Sequence, residues 1–441
     1  MRPDLSGSIT RATIRSPLTP LFLLTALAVG LIALMTIPRE EEPQISVPMV
    51  DMIIAAPGLR AADVVEQVTE PLEEIIKAIP DVEHVYSQSR DDGALVTARF
   101  NVGTDADNAI LRVHEKIRAN LDRIPTGVPM PLVVGRGIND VPIVTLTLSP
   151  EPWTRDVWND TSLRMLAEEL QKELIKVDDV GLTSVVGGRA LEMRVEPDIH
   201  AMAAYGVPLQ TLVETVSQAS NVNPVGIARR DGESLLVQAG DRVNALGELE
   251  RLELRGGDGR TVYLSDVATI RVTGAETESR VWTLDRDEDG DGFRAAPAVT
   301  VALAKRPGAN AVKVAEAILA RAEHLEGDLV PEGVRLEVTR NYGETANHKA
   351  NELLYHLGLA TVSIVILIAF AIGWREALVT LIVIPTTILL TLFASLMMGY
   401  TINRVSLFAL IFSIGILVDD AIVMIENIAR HWAMNDGRTK V

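Results

Sequence analysis

Three runs of uncharged, mostly apolar residues, 18–37, 353–372 and 377–398, and a fourth at 405–428 interrupted only by carboxylates, set the terms for this chain. About 20 residues rising 1.5 Å each cross a hydrocarbon core of about 30 Å, so each run is long enough to span a bilayer. A chain of 441 residues with 23% charged residues and a mean hydropathy of +0.21 makes poor sense as one globular body. It makes sense if the hydrophobicity is concentrated in spans and the charge in a separate soluble part. The first run exceeds the apolar core of a signal peptide and leads into Ile37-Pro38-Arg39-Glu40-Glu41-Glu42 without a small-residue cleavage site. It reads as a retained anchor.

Lysines and arginines orient the spans. Arg2, Arg11 and Arg15 precede the first, Arg375 sits in the turn Gly373-Trp374-Arg375-Glu376, and Arg430, Arg438 and Lys440 follow the fourth. All three groups belong on the cytoplasmic side, which places the long segment between spans one and two outside; Arg404 alone dissents. A net charge of −18 then belongs to a largely extracytoplasmic protein and argues against a nucleic-acid partner. With no cysteine, disulfides and thiolate metal sites are excluded. The pattern suits a multi-pass protein of the bacterial inner membrane with a large periplasmic domain.

The carboxylates Asp419 and Asp420 stand deep inside the fourth run. A charged acid near the bilayer centre costs about 2.5–3.5 kcal/mol on insertion scales. Two adjacent acids must carry protons or face a cation and water within a bundle. The plain alternative is a buried soluble helix with two salt-bridged acids, and four spans obeying the charge rule argue against it. Ser413, Asp420 and Asn427 recur every seven residues and form one polar stripe, with Asp419 and Glu426 forming a second about 100° away. Such stripes are expected to face a bundle interior. Gly415, four residues before Asp419, leaves room for a neighbouring helix. Spans one to three hold no Lys or Arg, and His356 near the outer end of span two reads as an interfacial residue. The cationic partner is therefore expected from outside this sequence.

Between residues 38 and 343 strand-like and helix-like stretches alternate. Residues 47–55 read as a strand ended by Pro57-Gly58. Val64, Val68, Leu72, Ile75, Ile76 and Ile79 recur at helical spacing over 61–79, with a kink expected at Pro71. Residues 82–89 and 94–100 read as a hairpin around Asp91-Asp92-Gly93, 106–124 as a helix closed by Pro125, and 143–148 as a strand. The order βαββαβ is that of a ferredoxin-like split unit. A second copy follows in two pieces: helix 161–176 and strand 181–186, then strand 298–305, the turn Pro307-Gly308, helix 311–326 and strand 334–341. Its strand–Pro-Gly–helix–strand run repeats the one that begins at Val47. Residues 189–272 read as an inserted subdomain. The stretch from Leu284 to Gly292 imitates the start of a calcium loop, with acids at 285, 287 and 289 and Gly290. Ala296 stands where a bidentate Glu is required, and a solvated acidic hairpin tip is the favoured reading. Nucleophile elbows, phosphate-binding glycine loops and zinc-type histidine clusters are absent from the sequence, so no enzyme activity or cofactor is expected.

Several motifs resemble the N-terminal half of a resistance–nodulation–division (RND) efflux transporter of the hydrophobe/amphiphile exporter branch. They are Ile37-Pro38 after the first span, Pro57-Gly58 before Val65-Glu66-Gln67-Val68-Thr69-Glu70-Pro71-Leu72-Glu73, Val82-Glu83, and Gly415-Ile416-Leu417-Val418-Asp419-Asp420-Ala421-Ile422-Val423 with Glu426-Asn427. The last looks like that family's proton-relay helix. The resemblance implies an α+β membrane protein: 1–37 as cytoplasmic N-terminus and first transmembrane helix, 38–140 as a first porter subdomain, 141–188 and 273–343 as the two parts of a second, 189–272 as a docking subdomain, 344–430 as transmembrane helices two to four, and 431–441 as a truncated cytoplasmic tail. It implies proton/substrate antiport driven by the proton gradient, with Asp419 and Asp420 as the relay and Ser413, Glu426 and Asn427 as its polar support. The substrate pocket of the family falls near Val141, Pro142, Ile143 and Val186. The implied partners are a homotrimeric assembly, a periplasmic adaptor, an outer-membrane channel, a small-molecule substrate, and a C-terminal half supplying the lysine that answers the acids. Two alternatives stay open: a heavy-metal exporter of the same superfamily, against which Met49, Met52, Met130, Met397 and Met398 are too scattered, and a non-transporting split or truncated half acting as a scaffold.

Overall fold

The computed structural model of the chain describes residues 16–433 except 42, 44–46, 138–139, 220–222, 231–232, 240–242, 244, 258, 278, 287–291 and 372; the side chains of 223–230, 233–239, 353, 414, 417, 418, 420, 421, 429 and 431–433 also lie outside the described set. Arg2, Arg11, Arg15, Arg438, Lys440, the acidic tip 287–291 and the Asp420 side chain therefore lie outside the described residues.

An apolar helix α1 (Thr19–Thr36) enters a four-stranded antiparallel sheet through β1 (Met49–Ala55). Helix α2 (Ala61–Val64) runs through a π-helical turn, Val65–Thr69, into α3 (Glu70–Lys77). The π turn lies just ahead of Pro71, whose missing N–H could not serve the Gln67 carbonyl in a regular helix. Thr69 Oγ1 bonds the Val64 carbonyl at 3.2 Å across it. The hairpin β2 (Val82–Arg90) and β3 (Gly93–Phe100), helix α4 (Ala106–Arg118) and strand β4 (Leu132–Arg136) complete the sheet in the order β2-β3-β1-β4. Asp92 in the hairpin turn takes φ 64°, a left-handed conformation that Asp tolerates. Alternate residues Val50, Met52 and Ile54 meet Val68, Leu72, Val113 and Ile117 in a buried core under the helices.

The fourth strand is a correction. Strand 143–148 was expected to close this sheet, but β4 closes it, and β5 (Val144–Pro150) opens the next. Helix α5 (Asp160–Leu174) and strand β6 (Val180–Gly187) follow. The chain then leaves through Gly187-Gly188, both at positive φ; a side chain at Gly188 would strike the Asp160 carbonyl at 2.6 Å. The excursion holds β7 (Leu191–Pro197), α6 (Ile199–Tyr205), α7 (Leu209–Ala219), the hairpin β8 (Asn223–Arg230) and β9 (Glu233–Ala239), α8 (Leu246–Glu250), β10 (Glu253–Arg255), β11 (Thr261–Tyr263), α9 (Leu264–Val267) and β12 (Ala268–Gly274). Pairing of β7 with β12 closes it around its own core of Met202, Leu212, Leu254 and Leu264.

Strand β13 (Val281–Arg286) leads back to β14 (Phe293–Lys305), helix α10 (Ala311–Asp328) and β15 (Val334–Asn341). The outer half of β14 pairs with β13, and its inner half lies between β6 and β5, with β15 beyond β5. The inner strands thus stand in the order β6-β14-β5-β15, the same arrangement in chain order as the first sheet. The repeated strand–Pro-Gly–helix–strand run occupies different halves of the two sheets: the first half where it starts at β1, the second half where it starts at β14.

The last helices are α11 (Tyr342–Ala371), α12 (Trp374–Met397) and α13 (Arg404–Ala433). By length and composition α1, α11 and α12 could cross a membrane, and among the described residues the apolar stretch of α13 is Arg404–Ser413. Helix α11 starts well before its apolar run, directly from β15, with the Asn341 side chain accepting from the Glu344 N–H at 3.0 Å. At Gly30 the backbone of α1 closes on Leu389 of α12, where any side chain would collide with the Leu389 backbone.

Asp285, the first acid of the stretch that imitates a calcium loop, is held by Arg335 at 2.8 Å and Arg155 at 2.7 Å, fastening β13 to β15. The Arg335 guanidinium, helped by Arg155, holds the Asp285 carboxyl below the usual carboxylate range. A lowered folded-state value means that the stabilisation is complete above the ordinary Asp range, and as pH falls it is lost down through the lowered folded-state value. Asp285→Asn is expected to lower stability at neutral pH by about 2 kcal/mol. The gap to wild type should shrink on acidification, read by thermal unfolding of detergent-solubilised protein at both pH values; a gap independent of pH would contradict the assignment.

Candidate functional site: the acid-bearing helix and the junction at its head

Helix α13 is started by Asn403, whose Oδ1 accepts from the Val405 and Ser406 amides at 3.0 and 2.9 Å. Ser406 Oγ accepts in turn from the Asn403 amide at 2.9 Å, so three otherwise orphaned donors are satisfied at a buried helix end. Leu407 is buried with Ile37, Ala350, Leu392 and Ile402, Leu410 leans on that cluster, and Ile422 leans on Ile384. These contacts fix which side of α13 meets α11 and α12.

Leu407 and Ile422 lie on that packed side. Ser413, Asp419, Glu426 and Asn427 are all exposed, with Asp419 and Glu426 about one turn before and after Ile422. The Asp419 and Glu426 carboxylates are open to whatever stands opposite them. Ser413 spends its hydroxyl on the Leu410 carbonyl at 2.8 Å, the usual resolution for a serine in an apolar helix. Asp420 belongs to the same helix, one residue on from Asp419. Exposed carboxylates on an apolar helix can exchange protons with water or pair with a cation on a facing helix. His356 of α11 is exposed, its ring edge-on to Tyr355 at 5.8 Å.

The four pocket residues separate. Ile143 is core: it is 6% exposed, and its amide donates to the Leu303 carbonyl at 2.8 Å, so it lines no opening. Val186 is exposed on the sheet face away from the helices, in register with Thr300. Thr300 begins a hydroxyl ladder, bonding Thr147 at 2.9 Å, which bonds Thr339 at 3.0 Å. Val141 is exposed and Pro142 half-buried ahead of β5. Of the methionines, Met52 is buried in the first sheet, and Met397 and Met398 are exposed at the end of α12. Among the described residues no His, Asp or Glu side chains cluster in a way that could hold a metal ion.

A feature without any sequence signal sits at the head of α13. Glu40, just after α1, and Lys305, the last residue of β14, form a buried ion pair at 2.6 Å although 265 residues separate them. The other carboxylate oxygen of Glu40 accepts from Thr401 Oγ1 at 3.1 Å. Beside it a cavity of about 700 Å³ opens between α12 and α13, lined by Ile37, Leu392, Ile402, Ser406 and Ser413 among others.

The sequence profile of the AcrB/AcrD/AcrF family matches residues 9–441. Among curated proteins, the chain is 27% identical over 423 residues to the multidrug resistance protein MdtC of Pantoea ananatis, covering 95% of this chain and 40% of that protein. It is 26% identical over 405 residues to MdtC of Salmonella newport, covering 91% and 38%, and 26% identical over 419 residues to MdtC of Serratia proteamaculans, covering 94% and 39%. The chain thus spans about 40% of the length of the curated relatives it matches. Replacing Asn403 by Ala is expected to lower stability by about 1 kcal/mol, with Ser costing only a fraction of that. Hydrogen exchange at the Val405 and Ser406 amides measures both; equal exchange in the two variants would contradict the capping role.

Proposed function

The chain belongs to the AcrB/AcrD/AcrF family, of the resistance–nodulation–division type, and from that premise we propose that it is the N-terminal part of a proton-driven efflux transporter that exports amphiphilic or hydrophobic compounds. The observation that carries the reading is the acid-bearing α13. It is an apolar helix that carries two adjacent acids, with the Asp419 and Glu426 side chains exposed, in a chain that also holds two α/β sheets. Asp419 and Asp420 take up protons on one side of the membrane and release them on the other. Their cationic counterpart is supplied by a facing helix of the remaining part of the transporter. The field adds about 2.3 kcal/mol per charge per 100 mV, enough to bias a cycle between states a few kcal/mol apart.

In this reading α1, α11, α12 and α13 all cross an inner membrane, and the two sheets are ferredoxin-like porter subdomains. The excursion between β6 and β13 is the docking subdomain, which meets an adaptor and outer-membrane channel within a trimer. The relatives' name supports multidrug export, and the threonine ladder beside Val186 favours substrates that accept or donate hydrogen bonds as well as apolar ones.

Two experiments test this. In the complete transporter, Asp419→Asn and Asp420→Asn should each bring energised export of a fluorescent amphiphile down to background while membrane levels stay normal; export retained at near wild-type rate would defeat the proton-relay assignment. Because the chain has no cysteine, Ser279→Cys and Arg375→Cys report sidedness directly. A membrane-impermeant maleimide should label position 279 in intact spheroplasts and position 375 only after permeabilisation, and the reverse pattern would overturn the topology.

A further inference from the structure

The junction at the head of α13 gathers four parts of the chain. The Glu40 amide donates to the Ile402 carbonyl and the Ile402 amide to the Pro38 carbonyl, both at 2.9 Å, a short parallel bridge between the exit of α1 and the turn before α13. The Ala311 amide at the start of α10 donates to the Arg39 carbonyl at 3.2 Å. The Arg39 guanidinium reaches Asn347 at 2.8 Å and Asn351 at 3.2 Å, both on the membrane-distal part of α11. At the centre stands the Glu40–Lys305 pair, with Glu40 5% and Lys305 7% exposed. Both charges are desolvated, and an apolar pair of similar volume would usually serve stability as well or better. A buried ion pair with a third, hydroxyl ligand specifies one relative placement of the segments that carry it.

Those segments are informative. Thr401 belongs to the turn that caps the acid-bearing helix. Lys305 ends β14, an inner strand of the second sheet, immediately before the Arg306-Pro307-Gly308 turn into α10. We propose that Glu40, Lys305 and Thr401 form a positioning latch through which a displacement at the head of α13 is passed to the β14–α10 corner of the second sheet. The purpose of that transmission rests on the transporter reading, since it would carry a protonation event at Asp419 and Asp420 to the soluble part; the latch itself does not. Glu40 receives the movement through the Thr401 hydroxyl and the Ile402 carbonyl, and hands it to Lys305 through a bond too short and too buried to be replaced by water.

The test is a coupling measurement on the membrane-inserted protein in nanodiscs, read by hydrogen–deuterium exchange. Three amides of the corner are protected by bonds: Arg306 to the Asp179 carbonyl at 2.8 Å, Ala309 to Arg306 at 3.2 Å, and Ala311 to Arg39. Thr401→Val removes a hydroxyl on the α13 side alone. In the otherwise wild-type protein it should speed exchange at 306–311 about tenfold, the scale of a lost hydrogen bond to a charged group. In a Glu40→Gln/Lys305→Met background, where the pair is neutral and close in volume, the same Thr401→Val change should alter exchange there by less than about twofold. If the double variant does not accumulate, Lys305→Arg, which keeps the pair charged, is measured in its place and should preserve the tenfold response; its loss there would count against the latch. Equal responses in both backgrounds, or none in the wild type, would overturn the proposal. Export by the same variants is recorded separately: a wild-type protein that exports nothing speaks against the transporter reading, whereas the exchange result judges the latch.

Discussion

Hydrocarbon offers no water to a polar group, and the rest of this molecule follows from that constraint. Backbone satisfaction forces the apolar segments into helices. The same scarcity forces the polar ends of those helices to find partners within the protein. Asn403 and Ser406 serve each other at the head of α13, and Pro38, Glu40 and Ile402 trade backbone bonds across the exit of α1. Among the described residues two sets of charge differ in how they are met: the Glu40–Lys305 pair, which is neutralised within the chain, and the Asp419 and Glu426 carboxylates of α13, which are exposed. The first fastens the helices to the sheets. The second leaves an interaction to be completed from outside.

The two inner four-strand sets show how a repeat can be fixed in topology while its sequence drifts. Both run as edge, centre, centre, edge with the same chain order, and both cover one face with two helices. They differ in what interrupts them: the second is opened after β6 by an excursion that closes on itself through β7 and β12. Because β7–β12 pairing and the Arg189–Asp160 bidentate contact at 2.9 and 3.0 Å secure the neck, the insertion can carry its own core without disturbing β14.

Much of this was legible in the sequence because it is written in local periodicity. The apolar runs, the amphipathic helices over 61–79 and 106–124 and the hairpin at Asp91-Asp92 all depend on spacing over a few turns. The losses came where local pattern is silent or ambiguous. Strand β4 is a five-residue edge strand, Leu132-Val133-Val134-Gly135-Arg136, set behind prolines and containing a glycine, and it was passed over in favour of the more regular 143–148. The apolar run 353–372 marks only the later part of helix α11, whose first turns are polar and pack on α10. Ile143 was assigned to a pocket by resemblance, but burial in the second core claims it. The Glu40–Lys305 pair joins residues 265 apart and could not be seen in any window; only the sheet places Lys305 at the helix exit.

In the proposed reading Asp419 and Asp420 carry protons during the transport cycle. Infrared difference spectroscopy of the complete transporter in lipid, recorded across a pH step, observes this without any substrate. The account predicts a carboxylic-acid carbonyl band that appears on acidification, is absent or shifted in Asp419→Asn and Asp420→Asn, and is unchanged in Asp285→Asn. A band that survives both α13 substitutions, or no band at all, would contradict it.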